Sequence, residues 1–246
     1  MERITLRLTS DVGAYTMEVL DGDYFRQCLA TKRPYEEGVL RVTTALTRPG
    51  DHIVDVGAHM GNHSIYWGLA GRRVTAFEPN PPVNELLRAN VARNDLGAAV
   101  DVRSMAVGRS RASGTLSQVD PSNLGSTVLR PGEGEIAITT LDEADVGPLA
   151  LLKIDVEGHE ADVLLGARQT LARWRPYIVA EELAGHQEVD DLIGDLGYRR
   201  LPVDLASTPT RVYAPSISAA ARVLTTRPYL QLASGAVTRR LGRSRH

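Results

Sequence analysis

From residue 51 onward, short apolar runs alternate with longer stretches in which apolar residues recur every three or four positions. The runs HIVDVG (52–57), RVTAFEP (73–79), AVDVRSMAV (99–107), ALLKIDVE (150–157), PYIVAEE (176–182) and YRRLPV (198–203) read as strands. The intervening GNHSIYWGLAG, NPPVNELLRANVARN, EADVLLGARQTLARW and HQEVDDLIGDLG read as helices. Strands that are apolar on both faces belong in a parallel sheet covered on both sides, so the pattern predicts an α/β fold with a mostly parallel sheet between layers of helices.

Upstream, ITLRLT (4–9) alternates like a half-buried edge strand or hairpin arm, and a loop-rich segment follows. Residues 36–51 place Val39, Leu40, Val42 and Leu46 at helical spacing and end on Pro49-Gly50-Asp51, a helix capping the first strand of the larger sheet. Residues 108–140, rich in Gly, Ser and Thr, break the rhythm and read as an inserted hairpin or active-site loop. The expected division is 1–49 as a strand and helix cap, 50–215 as the main domain and 216–246 as a basic helical tail.

Composition narrows the function only a little. A chain of 246 residues with 43% hydrophobic residues is long enough to bury a single large core. The net charge of −2 gives no case for nucleic acid. Six arginines and no acid follow Ser216, and that basic amphipathic composition fits a contact with an anionic membrane or an acidic partner. Cys28 is the only cysteine, and the amino terminus has no secretory pattern, so a cytoplasmic protein is expected. Oligomeric state leaves no mark in the sequence.

Ligands of open α/β sheets bind beyond the carboxyl ends of the strands, and Asp55, Glu78, Asp155 and Glu181 or Glu182 all fall at such ends. In DVGAHMGNHS (55–64), Gly57 allows a tight turn out of the strand and Gly61 lets the next helix start close to a ligand. Asp55 would repel a pyrophosphate and attract a cationic group, and the first spacing of the dinucleotide fingerprint, Gly-x-Gly, is missing. Glu78, 23 residues later, is placed to accept hydrogen bonds from ribose hydroxyls. An acid-glycine turn plus a ribose-binding acid describe a nucleoside with a cationic amino-acid arm, S-adenosylmethionine. Asp55, Gly57, Ala58, His59, Gly61, Asn62, Ser64, Glu78, Pro79 and Asp155 are its candidate contacts, with Met105 and Ala106 around the adenine.

The runs PGDHIVDVGAHMGNHS, VTAFEPNPPVNELLRANVARN, TTLDE, LLKIDVEGHEADVLLGA and RPYIVAEE, in that order, resemble the FkbM family of S-adenosylmethionine-dependent methyltransferases over roughly residues 36–200, with KIDVEGHE and FEPNP the most distinctive. The resemblance implies a class I, Rossmann-like, seven-stranded sheet and methyl transfer to an oxygen, commonly a hydroxyl of a sugar, glycolipid or polyketide-type natural product. Two positions depart from the family pattern: His59 stands where asparagine is usual and His63 where an aromatic is frequent.

LLKIDVEGHE (151–160) carries the candidate chemistry. Lys153 and Asp155 share a strand face, and an enclosed lysine calls for a carboxylate partner, here Asp155 or Glu157. Transfer from a sulfonium to a hydroxyl needs alignment and a proton acceptor. His159 is the first candidate for that acceptor, with Glu181 or Glu182 second, and Asp155 lies beside the sulfonium. Asp155, Glu157, His159, Glu160, Glu181 and Glu182 offer ligands to a hard divalent cation, but the spacing is not diagnostic and no metal is predicted. The rival class is a binding scaffold that keeps the nucleoside pocket without turnover, which His59 permits. The expected partner is a small hydroxylated acceptor.

Overall fold

We describe the protein from a computed structural model, which covers residues 2–120, 123–181, 187–201 and 210–219. Residues 220–246, which hold all six arginines of the tail, and Glu182 lie outside the described residues.

The chain opens with an antiparallel hairpin, β1 (Arg3–Ser10) and β2 (Gly13–Leu20). The segment read as loop-rich is therefore partly a strand: GAYTMEVL alternates around Tyr15, Met17 and Val19, which are buried. Two helices follow, α1 (Tyr24–Cys28), capped by the Asp23 carboxylate on the Phe25 amide, and α2 (Glu37–Leu46). The main sheet then builds through β3 (His52–Val56), α3 (Asn62–Leu69), β4 (Arg73–Phe77), α4 (Pro81–Arg93) and β5 (Val100–Arg103). Next come the short β6 (Ala106–Val107), the hairpin β7 (Ala112–Asp120) and β8 (Asn123–Pro131), and β9 (Ile136–Thr139). The main sheet resumes with β10 (Leu151–Ile154), α5 (Glu160–Leu165), α6 (Arg168–Trp174), β11 (Tyr177–Glu181), α7 (Gln187–Asp195), β12 (Arg199–Arg200) and β13 (Thr210–Ala214).

The seven strands of the main sheet lie in the order β12-β13-β11-β10-β3-β4-β5. Strand β13 alone runs antiparallel to the neighbours on both its sides. The order reverses between β3 and β10, and that switch point is where the carboxyl ends of the strands open a crevice. Strands β3, β10 and the first four residues of β11 are buried throughout, as the apolar runs predicted.

Three sequence readings are corrected. AVDVRSMAV is not one strand: the main sheet keeps Val100–Arg103, and Ala106–Val107 joins a second, four-stranded sheet in the order β6-β9-β7-β8. EADVLLGARQTLARW is two helices, because Gly166 presses against the Gly108 carbonyl and the Asp142 carboxylate receives the amides of Gln169 and Thr170 at the start of α6. The seventh strand is TRVYA at 210–214, which the strand reading omitted.

One apolar cluster joins the hairpin, α2, α3 and α4 on one face of the sheet, and a second joins α5, α6 and α7 on the other. The hairpin is fastened to α4 by Asn90, whose side-chain oxygen accepts from the Glu18 amide at 2.6 Å while its amide donates to the carbonyls of Glu18 (2.9 Å) and Met60 (3.0 Å). No described helix is long and apolar enough to cross a membrane.

Candidate active site

A cavity of about 310 Å³ opens over the carboxyl ends of β3, β4, β10 and β11. Its floor is the main sheet, and its sides are α1 and the β7–β8 hairpin, so the 108–140 segment is a hairpin that walls the site. Gly57, Ala58, His59, Asn62, Glu78, Pro79, Met105, Ala106, Lys153, Asp155, His159 and Glu181 all line it.

Asp55, Gly61 and Ser64, also expected near the ligand, lie behind the cavity wall. Asp55 is fully buried inside the sheet, where Ser64 donates to its Oδ2 at 2.6 Å and the Lys153 ammonium lies 3.3 Å from its Oδ1. A Cβ at Gly61 would meet Leu87 of α4 at 2.6 Å, so that glycine serves helix packing. At Gly57, φ is +79° and a Cβ would come within 1.8 Å of the Asp155 carbonyl, so only glycine lets β3 turn out beside β10.

Strand register explains the charge cluster. Lys153 stands opposite Asp55 on the adjacent parallel strand and two residues before Asp155, so all three share one face. The Lys153 ammonium has three donors and meets Asp55, Asp155 at 3.2 Å and the Gly57 carbonyl at 3.2 Å. Its partners are thus Asp55 and Asp155; the carboxylate of Glu157 is not among them. Burial works against the ammonium, and the two carboxylates outweigh it, so Lys153 stays charged far above neutrality.

On the other side the register carries Asp155 alongside Glu181, and their carboxyl groups share a hydrogen bond. Burial first, then the Asp155 charge and that bond, push Glu181 up to about 9. Burial also acts on Asp155, but Lys153 and Glu181 prevail and hold it below the usual carboxylate range. Near neutral pH the pair therefore carries one proton, on Glu181.

Glu78 sits at the end of β4 and accepts from the backbone amides of His59 (2.9 Å) and Asn80 (2.8 Å). Burial nevertheless pushes it up to about 7. His59 has φ +51°, in the left-handed region that Asn, Asp and His enter far more readily than other side-chain-bearing residues. That backbone requirement accounts for histidine in a place where asparagine is usual. His63 keeps an aromatic contact with Trp67 at 5.4 Å and pairs with Glu36 at 3.3 Å.

The loop after β10 is drawn tight by Glu160, fully buried, whose Oε1 receives the amides of Val156 and Gly158. This clamp holds Glu157 at φ +52° with its carboxylate on the cavity wall. Burial, and after it the charges of Asp155 and Glu160, push Glu157 up to about 7. His159, the residue that opens α5, sets its Nδ1 3.3 Å from Asp162 Oδ2. Asn62 lines the cavity but its amide is spent on the Tyr35 backbone, accepting at 3.0 Å and donating at 2.9 Å. Among the described residues no group of three or more His, Cys, Asp or Glu is arranged to hold a metal ion.

Sequence reading missed Tyr24, Phe25, Cys28 and Tyr35 on one wall and Asn123, Thr127 and Leu129 on the opposite one. Only the position of α1 and the hairpin over the sheet brings them in, and no local motif marks that.

Residues 55–200 match the family model of the methyltransferase FkbM domain. The hexuronic acid methyltransferase AglP of Haloferax volcanii is 30% identical over 157 residues, covering 61% of this chain and 63% of that protein. Two crystal structures share the fold at 17% identity each. One is the FkbM methyltransferase of Methylobacillus flagellatus KT (TM-score 0.50, 68% of this chain and 44% of that one). The other is the tRNA (uracil-54, C5)-methyltransferase of Pyrococcus abyssi in complex with S-adenosyl-L-homocysteine (TM-score 0.52, 87% of this chain and 44% of that one). The chain therefore spans less than two thirds of the length of each of these relatives. With the match running from the acid-glycine turn at Asp55 through the Glu157 loop to β12, the chain belongs to the FkbM family of methyltransferases.

Proposed function

We propose that the protein is an S-adenosylmethionine-dependent O-methyltransferase that acts on a hydroxyl of a sugar or a sugar-bearing natural product. One observation carries this reading: a single cavity holds a buried carboxylate anchored by two backbone amides, Glu78, and a proton-sharing carboxyl pair, Asp155 and Glu181. The sugar class draws support from the hexuronic acid methyltransferase relative.

When bound, S-adenosylmethionine supplies a methyl group already activated on a positively charged sulfur. The residues present fit it. Glu78 is enclosed and, among the described residues, no cation is hydrogen-bonded to it, so its remaining lone pairs suit the two hydroxyls of a ribose. Pro79, Met105 and Ala106 give the same end of the cavity apolar walls suited to an adenine. Asp155, ionised and facing the cavity, favours a cation beside it.

The proton of the attacking hydroxyl needs a base. Asp162 fixes the His159 tautomer by accepting from Nδ1–H, which leaves the Nε2 lone pair to take that proton. The Asp155–Glu181 pair orients the hydroxyl, with the Glu181 O–H directed at Asp155. Walls of α1 and the β7–β8 hairpin limit water around the reacting atoms.

The test separates binding from turnover. Glu78→Ala is expected to weaken S-adenosylhomocysteine binding by about 10- to 100-fold in calorimetry, the cost of two lost charged hydrogen bonds. His159→Ala is expected to lower kcat by about 10²- to 10⁴-fold with that affinity unchanged. A wild-type protein that gives no heat with the methyl donor or its demethylated product overturns the proposal.

A further inference from the structure

The cavity is divided by charge. Every carboxylate on its wall, Glu78, Asp155, Glu157 and Glu181, stands on a loop or strand end of the main sheet. Among the described residues the opposite half, between α1 and β8, carries none: it presents Tyr24, Cys28 and Tyr35 on one side and Asn123, Thr127 and Leu129 on the other.

Its geometry is specific. Tyr24 and Cys28 lie one turn apart on the same face of α1, the Tyr24 hydroxyl meets the Cys28 thiol, and both residues line the cavity. Tyr24 is 52% exposed, one of two large hydrophobic residues so open among those described. The next residue, Phe25, also lines the cavity and packs edge-on against Tyr35 (5.9 Å) and His59 (5.1 Å). Asn123 and Thr127 place hydrogen-bonding groups across from α1. No arginine lines the cavity among the described residues, and its one lysine is committed to three acceptors.

We infer that the α1–β8 wall is the acceptor subsite, and that it takes an uncharged sugar ring stacked by its apolar face on Tyr24 rather than a uronate. This rests on the methyltransferase reading and adds the acceptor's charge class. Among the described residues an acceptor carboxylate would find no arginine on the cavity wall, and it would face the ionised Asp155 across the cavity.

The experiment uses the full chain saturated with S-adenosylhomocysteine and two probes, p-nitrophenyl β-glucoside and p-nitrophenyl β-glucuronide, with binding read by saturation-transfer NMR and titration. The glucoside is expected to bind at least about tenfold more tightly than the glucuronide. Tyr24→Ala is expected to weaken the glucoside by about tenfold, Tyr24→Phe to retain it, and both to leave S-adenosylhomocysteine affinity within about twofold. Leu129→Arg is expected to bring in the glucuronide. Equal or tighter binding of the glucuronide, no loss with Tyr24→Ala, or no binding of either glycoside overturns the inference while the methyltransferase reading stands. Failure of S-adenosylhomocysteine itself to bind overturns both.

Discussion

Lys153 shows how one side chain can hold a site together. It is 4% exposed, pairs with the carboxylates of Asp55 on β3 and Asp155 after β10, and donates to the Gly57 carbonyl in the turn after β3. Replacing it with methionine leaves Asp55 and Asp155 facing each other across the sheet without a counter-ion. Lys153→Met is therefore expected to cost about 3–5 kcal/mol in urea unfolding, the usual penalty for stripping one partner from a buried ion pair. Half of this arrangement could be read from the sequence, because Lys153 and Asp155 are two apart on a strand. The other half could not: the neighbour of Lys153 across the sheet is fixed by parallel register, and Asp55 is far away along the chain. The same limit applies to Asp55 itself, which the sequence presents as a strand-end acid and the fold encloses.

At the level of elements, the apolar rhythm located β3, β4, β10 and β11 closely, because strands buried on two faces leave an unbroken mark. Boundaries that depend on distant groups did not show. The division between α5 and α6 is enforced by Asp142 and by the Gly108 carbonyl, both remote from the helical pattern. The docking of the amino-terminal hairpin depends on another long-range contact, the Asn90 side chain on Glu18 and Met60. Asn90→Ala strands the Glu18 amide and two carbonyls in a buried place. It is expected to cost about 3 kcal/mol, read as a lower urea midpoint. A midpoint unchanged from wild type would mean the hairpin is held by its apolar face alone.

For the molecule as a whole, the raised carboxyls tie stability to pH. Glu78 and Glu157, both near 7, and Glu181, near 9, keep protons in the folded protein that the unfolded chain gives up in the ordinary carboxylate range. A group with a raised folded pKa stabilises below its unfolded value and loses that contribution as pH climbs to the folded one. Thermal stability measured by calorimetry without ligand is therefore expected to decline between about pH 5 and pH 9. Glu181→Gln keeps a donor toward Asp155 with nothing to ionise, so its decline is expected to be shallower, most visibly above pH 7. A steeper decline in the variant would contradict the proton assigned to Glu181.

The order of strands also bears on how the chain is made. Strand β3 lies in the middle of the sheet, but its neighbour β10 is translated only after β4, β5 and the whole second sheet. Until then a nascent chain offers one raw, apolar edge of β3 to whatever meets it, and unpaired edges invite aggregation. Closure then waits on β13, which must slip between β11 and β12 after both have left the ribosome. Such late, distant pairings make for slow maturation of the sheet.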